Sequence, residues 1–156
     1  MASDLNDVQL AVWRGFLEAH STVTRKLERD LLEHVGIPLT WYDVLVHLSE
    51  APRGRLRHQV LADSLVLSRS GVTRLVDRMV NAGLVQREAS TDDRRVSYVM
   101  LTREGRTTLD RAGPGHIHSV VEHFARHLRG PETGALSSFF NRLLEEDSPP
   151  PVETGA

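Results

Sequence analysis

The sequence predicts a mainly helical fold that carries one small β-hairpin. Apolar residues recur at helical spacing along most of the 156 residues. The exception is 84–101, where L-V-Q-R-E and V-S-Y-V-M-L alternate or run apolar on either side of the charged stretch S-T-D-D-R-R. Two short helical patterns joined by a tight turn stand just before this hairpin, and that order is typical of a helix-turn-helix followed by a wing.

Length and composition limit the class of protein. A chain of 156 residues fits one domain, or two small units that share a core. It has no apolar run near the roughly 18 residues of a membrane span, and its first residues, M-A-S-D-L-N-D, lack the features of a signal peptide. With no cysteine, disulfides and thiolate metal sites are excluded. We expect a cytoplasmic protein without a membrane partner.

The net charge of −2 conceals an uneven distribution. Residues 53–111 contain 12 Arg against seven Asp and Glu, an excess of five positive charges. Residues 1–52 carry four basic against eight acidic side chains, and residues 112–156 carry three against six. A basic middle between acidic ends favours an anionic partner for the middle segment alone, although a solvated basic face would have the same composition.

The first two helices are predicted from periodicity and from their end signals. A long helix covers 4–34, Gly36 can cap its end, and Pro38 prevents its continuation. Thr40 with Asp43 resembles a capping box for a second helix, which ends at A-P-R-G. Its inward side chains would be Val44, Leu45 and Leu48.

The helix-turn-helix follows directly. L-R-H-Q-V-L-A-D-S-L, residues 56–65, is predicted to be a short helix, and Val66-Leu67 the tight turn. Ser68 can cap the next helix, which ends at Asn81-Ala82-Gly83. The buried stripe of that helix follows the spacing i, i+3, i+4, i+7 and i+8, at Val72, Leu75, Val76, Met79 and Val80.

Two further helices and a tail complete the chain. Thr102 can cap a long helix, and Gly113-Pro114-Gly115 is expected to interrupt and kink it, because proline removes a backbone donor. The apolar pattern then resumes through Phe124 and Leu128. A turn at Gly130-Pro131 leads into a last helix over 132–145, and the proline-rich tail, 148–156, is expected to be disordered.

The outward face of the helix after Ser68 carries short polar and cationic side chains, namely Arg69, Ser70, Thr73, Arg74 and Arg78. Such residues near a helix N-terminus can reach base edges and phosphates. An ordinary solvated face is the competing interpretation. The preceding turn and the following charged hairpin favour a winged helix, in which the helix enters the major groove of DNA and the hairpin reaches the adjacent minor groove.

These residues resemble a known family. V-L-S-R-S-G-V-T-R-L-V-D-R-M-V-N-A-G-L-V-Q-R-E, then D-D-R-R-V-S-Y-V-M-L-T-R-E-G-R, is similar to the multiple-antibiotic-resistance regulator (MarR) family over nearly the whole chain. The most specific match is Asp93-Arg94-Arg95 before Leu101-Thr102-x-x-Gly105. The resemblance implies a winged helix-turn-helix lobe, 39–102, and a dimerisation region made from 1–38 and 103–147.

The resemblance also assigns roles by position. It implies a homodimeric transcriptional regulator, by default a repressor, that binds a pseudo-palindromic double-stranded DNA operator and is released by a small-molecule effector. The recognition helix would place Ser68, Arg69, Ser70, Thr73, Arg74 and Arg78 at the DNA, and the wing would place Asp93, Arg94 and Arg95 there. The dimer would bury Val8, Val12, Phe16, Phe124, Leu128, Phe139, Phe140 and Leu143.

The effector site and the metal site have weaker support in the sequence. By resemblance, an effector would lie where the first, second and fifth helices meet, near Trp13, His20, Trp41, Tyr42 and His47, although ordinary packing explains each of these singly. Oxidant sensing through a thiol is excluded without cysteine. A zinc-responsive alternative would use His116, His118, His123 and His127, with His47 or His34 as a third ligand.

Two other classes of protein have less support. No nucleophile motif, phosphate loop or H-E-x-x-H helix indicates an enzyme, and no cofactor is expected. A winged helix that serves only to bind protein remains as an alternative, and it predicts no salt-dependent binding to duplex DNA.

Overall fold

The computed structural model describes residues 5–65, 67–89 and 96–145, without the side chain of Arg69. The expected wing residues Asp93, Arg94 and Arg95, the turn residue Val66 and the 148–156 tail lie outside these ranges. The helices are α1 Asp7–His34, α2 Leu39–Glu50, α3 His58–Ser64, α4 Arg69–Asn81, α5 Arg103–His123 and α6 Gly130–Glu145. The strands are β1 Arg55–Arg57, β2 Val85–Ala89 and β3 Ser97–Leu101. The mainly helical fold with a β-hairpin is confirmed.

The hairpin belongs to a three-stranded antiparallel sheet in the order β1-β3-β2. Its two long strands pair from Val85 opposite Leu101 to Ala89 opposite Ser97, and Leu56 of β1 pairs with Val99. The sequence prediction assigned residues 56 and 57 to a helix, which is wrong. A three-residue strand is too short to show a period of two, and only its pairing with a strand some 40 residues away along the chain defines it.

The core of the winged lobe closes within one chain. The side chains of Val44, Leu45 and Leu48 in α2 are fully buried, as their spacing predicts. They meet the buried stripe of α4, in which Val72, Val76 and Met79 are also fully buried and Val80 is packed against the core. This packing fixes which face of α4 points away from the protein.

The ends of α1 and α2 differ from the predictions. Residues 5 and 6 precede α1, because Asn6 accepts a hydrogen bond from the Gln9 amide at 2.8 Å while the Gln9 side chain accepts one from the Asn6 amide at 3.0 Å. The capping box at Thr40 is wrong. The N-cap of α2 is Pro38, and the Glu28 carboxylate of α1 accepts the hydrogen bond of the Leu39 amide. A tertiary contact thus replaces the local cap.

Helix α5 continues through Pro114, so the predicted interruption is wrong. Ala112 and Ser119, on either side of the proline, are buried, and this packing keeps both halves in one helix at the cost of a hydrogen bond. The helix ends instead at His123, and Phe124 adopts φ −135° and ψ −63° before a short 3-10 turn over Ala125–His127. Phe124 and Leu128 therefore do not extend the helical pattern.

The link between the hairpin and α5 explains the Leu-Thr-x-x-Gly motif. The Thr102 hydroxyl donates to the Gly83 carbonyl at 2.7 Å and accepts from the Gly105 amide at 3.0 Å. A Cβ atom on Gly105 would lie far inside van der Waals contact with the Leu84 carbonyl oxygen. Only glycine allows the first turn of α5 to lie this close to the start of the hairpin.

Candidate nucleic-acid interface

Helix α4 presents a polar face on a rigid support. Ser68 caps it, with its hydroxyl accepting from the Gly71 amide at 3.1 Å, as predicted. Opposite the buried stripe, Ser70, Arg74 and Arg78 are exposed, and Thr73 is half-buried. Because the apolar face is held in the core, these polar side chains can meet a ligand without any change of fold.

The hairpin is tied to α4 by an ion pair that sequence reasoning missed. Arg87 of β2 donates from Nη2 to the Asp77 carboxylate at 2.7 Å and to the Thr73 carbonyl at 3.3 Å. In the same sheet, Arg55 of β1 pairs with Glu88 of β2 at 2.6 Å and lies 4.7 Å from the centre of the Tyr98 ring of β3. These contacts hold the base of the wing against the rest of the lobe.

A cleft of about 410 Å³ opens between α4 and the base of the hairpin. Its walls are Arg57, His58, Gln59, Thr73, Arg87, Val96 and Ser97. His58 lies 3.5 Å from the Thr73 hydroxyl across it. Sequence reasoning did not single out Arg57, His58 or Arg87, because the first two are about 30 positions away from the third along the chain. The excess of Arg in 53–111 was the only signal that pointed to them.

A second surface is apolar and lies at the other end of the molecule, on α1 and α6. Val8, Val12, Phe16, Phe124, Phe139 and Leu143, which the sequence assigns to the dimer, are 40–72% exposed in the single chain. Leu128 and Phe140 are half-buried. A groove of about 460 Å³ runs between Phe16, Val23, Leu136 and Phe140. An exposed apolar surface of this kind is normally covered by a partner.

The effector candidates fall into two groups. Trp13 and His20 lie beside Phe16 on the apolar face, with ring centres 6.0 and 6.3 Å from the Phe16 ring. Tyr42 is buried, and its ring centre lies 4.3 Å from that of His116 in α5. The other two, Trp41 and His47, are half-buried in α2. The structure does not join the five in one described cavity.

The meeting point of α1, α2 and α5 contains two half-buried ionisable groups, Asp43 and His116. Burial raises the pKa of Asp43, an effect that His116 and His47 oppose and Glu28 reinforces. Burial lowers the pKa of His116, against the attraction of Asp43. The buried Nδ1 of His116 has no hydrogen-bond partner within the described residues. The effector site predicted from the sequence did not include these polar groups, because His116 was treated there only as a possible metal ligand.

The histidines of the zinc alternative are dispersed. His123 lies 2.8 Å from the Asp30 carboxylate of α1, whereas His118 and His127 are exposed. In the ranges 5–65, 67–89 and 96–145, no three His, Asp or Glu side chains are grouped so that they could hold a metal ion.

Comparison with known proteins identifies the fold. The model of the MarR family matches residues 35–96, from the end of α1 to the hairpin. The HTH-type transcriptional repressor YetL of Bacillus subtilis (strain 168) is 30% identical over 128 residues, which cover 78% of this chain and 76% of YetL. The chain belongs to the MarR family. The matched members of this family are transcriptional regulators and not enzymes.

Two solved MarR-family structures extend the match to the terminal helices. Sco3205 of Streptomyces coelicolor, a MarR-family regulator in complex with DNA, is 32% identical, with a TM-score of 0.86 over 99% of this chain and 96% of its own. AbsC, also from Streptomyces coelicolor, is 33% identical, with a TM-score of 0.85 over 93% of this chain and 97% of its own. The MarR-family architecture is therefore shared from α1 to α6. None of the described helices is long and apolar enough to cross a membrane.

Proposed function

We propose that this protein is a sequence-specific double-stranded DNA-binding regulator that acts as a repressor, as a homodimer on a pseudo-palindromic operator. The observation that carries the proposal is the exposed polar face of α4, supported by a fully buried stripe and set beside a hairpin. The similarity to Sco3205, described in complex with DNA, and to the repressor YetL supports it. Such a regulator acts in the cytoplasm, on chromosomal DNA.

The first turns of α4 read the major groove in this proposal. Ser70 and Arg74 are exposed on one side of the helix, so an arginine fork at Arg74 can bond guanine twice. Arg78, one turn further on, meets the phosphate backbone. The other residues that we assign to DNA contact at this helix are Ser68, Arg69 and Thr73.

The wing contributes affinity and a preference for flanking sequence. A narrow, A·T-rich minor groove has an enhanced negative potential that attracts an inserted arginine. We assign this role to Arg95, with Asp93 setting its side chain and Arg94 meeting phosphate. The hairpin strands that carry these residues are anchored to α4 through Arg87 and Asp77.

The homodimer is supported by the apolar face of α1 and α6. A second copy of the same face would cover Phe16, Phe139 and Leu143 and would place two copies of α4 side by side. Two recognition helices related by a twofold axis match two half-sites about one helical turn apart, which is why the operator should be pseudo-palindromic.

Release by a small-molecule effector completes the proposal. The junction of α1, α2 and α5 holds the half-buried side chains of Asp43 and His116, which influence each other's pKa. An effector that bonded these groups would act where the dimerisation helices meet the lobe. We expect such a molecule to lower operator affinity. Tyr42→Ala should weaken this effect of the molecule more than it weakens DNA binding in the absence of the molecule.

The test begins with footprinting on the DNA that flanks the protein's own gene, because this gives the operator. Arg74→Ala should then lower operator affinity by about 1–3 kcal/mol and relax the preference at one base pair in each half-site. Arg111→Ala, which removes an exposed arginine from α5, is the matched control and should leave base preference unchanged. Equal losses on all sequences with Arg74→Ala would make Arg74 a phosphate contact.

A second titration addresses the wing. On operators with A·T-rich and G·C-rich flanks, at one fixed salt concentration, Arg95→Ala should weaken binding and flatten the preference for A·T. Asp93→Ala should give a milder loss of the same kind. An Arg95→Ala protein that still separated the two flanks as well as the wild type would refute the minor-groove role.

A further inference from the structure

The cleft between α4 and the hairpin has the composition of an anion site. Among the described residues, seven line the cleft, and six of these carry side chains that can form hydrogen bonds; two of the six, Arg57 and Arg87, are cationic. The Asp77 carboxylate is bonded to Arg87, and no Asp or Glu is among the described residues that line the cleft. The volume of about 410 Å³ leaves room for a charged group between the two arginines.

Arg87 is held in place and still has donors to offer. A guanidinium carries five N–H donors, of which Nη2 has two. The Asp77 carboxylate and the Thr73 carbonyl both accept from this one nitrogen, at 2.7 and 3.3 Å. Within the described residues, the donors on Nε and Nη1 form no hydrogen bond. The side chain has therefore already lost rotamer freedom, so less entropy is lost when it binds an anion.

Arg57 supplies the opposite wall. It is the last residue of β1, is exposed, and forms no ion pair within the described chain. A cation that has no ion-pair partner among the described residues and lines the same cleft as a second cation is more stable when an anion lies between the two. Its position depends on β1, the strand that sequence reasoning did not find.

We propose that this cleft binds one phosphodiester of the DNA backbone, with Arg57 and Arg87 as its charged ligands. The inference rests on the proposed function. A helix in the major groove and a hairpin in the adjacent minor groove must straddle the sugar-phosphate strand that separates the two grooves, and the cleft lies between these two elements. Contacts of this kind fix the register of a protein on DNA and do not read sequence.

The test is the salt dependence of binding, measured on the operator and on a mixed-sequence duplex of equal length. Each phosphate contact contributes about 0.9 to the slope of log K against log salt. Because both arginines hold the same phosphate, we expect the double variant Arg57→Ala with Arg87→Ala to reduce the slope by about that amount, and each single variant to reduce it by part of that amount. Each variant should weaken both duplexes by the same factor. Arg111→Ala, outside the cleft, should leave the slope unchanged.

One further variant tests whether Arg87 binds phosphate or only holds the hairpin against α4. Asp77→Ala breaks the tie to α4 but keeps the Arg87 charge, so affinity should fall while the slope does not decrease. If Asp77→Ala reduced the slope as Arg87→Ala does, or if the cleft variants kept the wild-type slope, the phosphate site would be refuted. Wild-type protein that bound neither duplex in a salt-dependent way would instead refute the proposed function.

A free anion is the other source of the same chemistry. Inorganic phosphate, added at constant ionic strength to the protein without DNA, should not raise its melting temperature measurably. Stabilisation by phosphate at about 1 mM, lost in Arg57→Ala, would identify a small-anion site and overturn the assignment to DNA.

Discussion

The winged lobe and the terminal helices bury their apolar residues to very different extents. In the lobe, Leu45, Met79 and Val99 are fully buried by elements of the same chain. On the terminal helices, Phe16, Phe139 and Leu143 remain 40%, 43% and 49% exposed. Within the described chain, no residue of α6 is buried. The lobe buries its apolar residues within the single chain, whereas the terminal helices leave theirs exposed.

The difference shows that an apolar stripe at helical spacing does not tell where it will be buried. The stripe of α4 and that of α6 look alike in the sequence. The first packs against α2, α3 and the sheet, and the second has only part of α1 to cover it. Burial of a large apolar side chain is worth about 1.5–3 kcal/mol, so α6 lacks this stabilisation in the single chain, and the proposed dimer would supply it.

The largest effect should come from charging the apolar face. Phe16→Arg combined with Phe139→Arg would place unpaired cations in a dry interface, which costs several kcal/mol. We expect a monomer in sedimentation at micromolar concentration and a large loss of operator affinity. The same protein should keep its helical circular dichroism, because the lobe core is untouched. A dimer of unchanged stability would show that this face is not the interface.

The next effect concerns the completeness of the lobe. Leu45→Ala should lower the free energy of unfolding by about 2–5 kcal/mol, because it opens a cavity in a fully buried site. In the Phe16→Arg and Phe139→Arg background, Leu143→Ala should cost under about 0.5 kcal/mol, as an exposed site does. Chemical denaturation of both variants gives the comparison, and similar losses at the two sites would contradict it.

The joint between the two regions depends on Gly105. Gly105→Ala should destabilise by about 1–3 kcal/mol, because the new Cβ would force α5 away from the Leu84 carbonyl. Gly134→Ala in α6 is the control: no atom lies within 4 Å of its Cβ position, and alanine favours a helix. The melting temperature should therefore fall for Gly105→Ala and rise for Gly134→Ala. A neutral Gly105→Ala would mean that the close contact relaxes at no cost.

The smallest effect concerns the contact of α1 with α5. Burial works against the charged form of Asp30, but hydrogen bonds from Ser119, His123 and Arg29 keep the pKa of Asp30 below its usual value. A carboxyl with a lowered folded pKa stabilises above its unfolded pKa of about 3.9, and that contribution disappears as pH falls through the folded value. Asp30→Asn should therefore be less stable than the wild type at pH 7, and the gap should close near pH 3 or below.

Urea unfolding at several pH values measures this gap. Ser119→Ala removes one of the hydrogen bonds to Asp30. In the Ser119→Ala protein, Asp30→Asn should therefore cost less stability at pH 7 than it does in the wild type, but the loss should not disappear. A difference between Asp30→Asn and the wild type that stayed constant down to the lowest pH would show that the Asp30 charge does not contribute.

Several features of the fold were predictable because their causes are local. Ser68 and Thr102 cap the helices that follow them, and Gly36 and Gly83 take the positive φ needed at helix ends. Each depends on a few neighbouring residues. The inward faces of α2 and α4 were predicted for the same reason, since burial follows helical periodicity once the helix forms.

The errors arose where distant segments decided the outcome. Glu28, not Thr40, provides the bond at the start of α2. Strand β1 exists because β3 pairs with it, and α5 passes Pro114 because its two sides are buried against the rest of the chain. In each case the tertiary contact outweighed a local preference of about 1–3 kcal/mol.

The sequence by itself determined the order of the helices and the hairpin, the polar face of α4, the family and the caps at Ser68 and Thr102, because periodicity and capping act over a few residues. Only the tertiary structure decided which arginines share a cleft. Arg57 and Arg87 are 30 positions apart in the chain and lie on one cleft because β1 and β2 flank β3. It also decided that Asp43 and His116, both half-buried, come close enough to influence each other's pKa, since this requires that α2 has packed against α5.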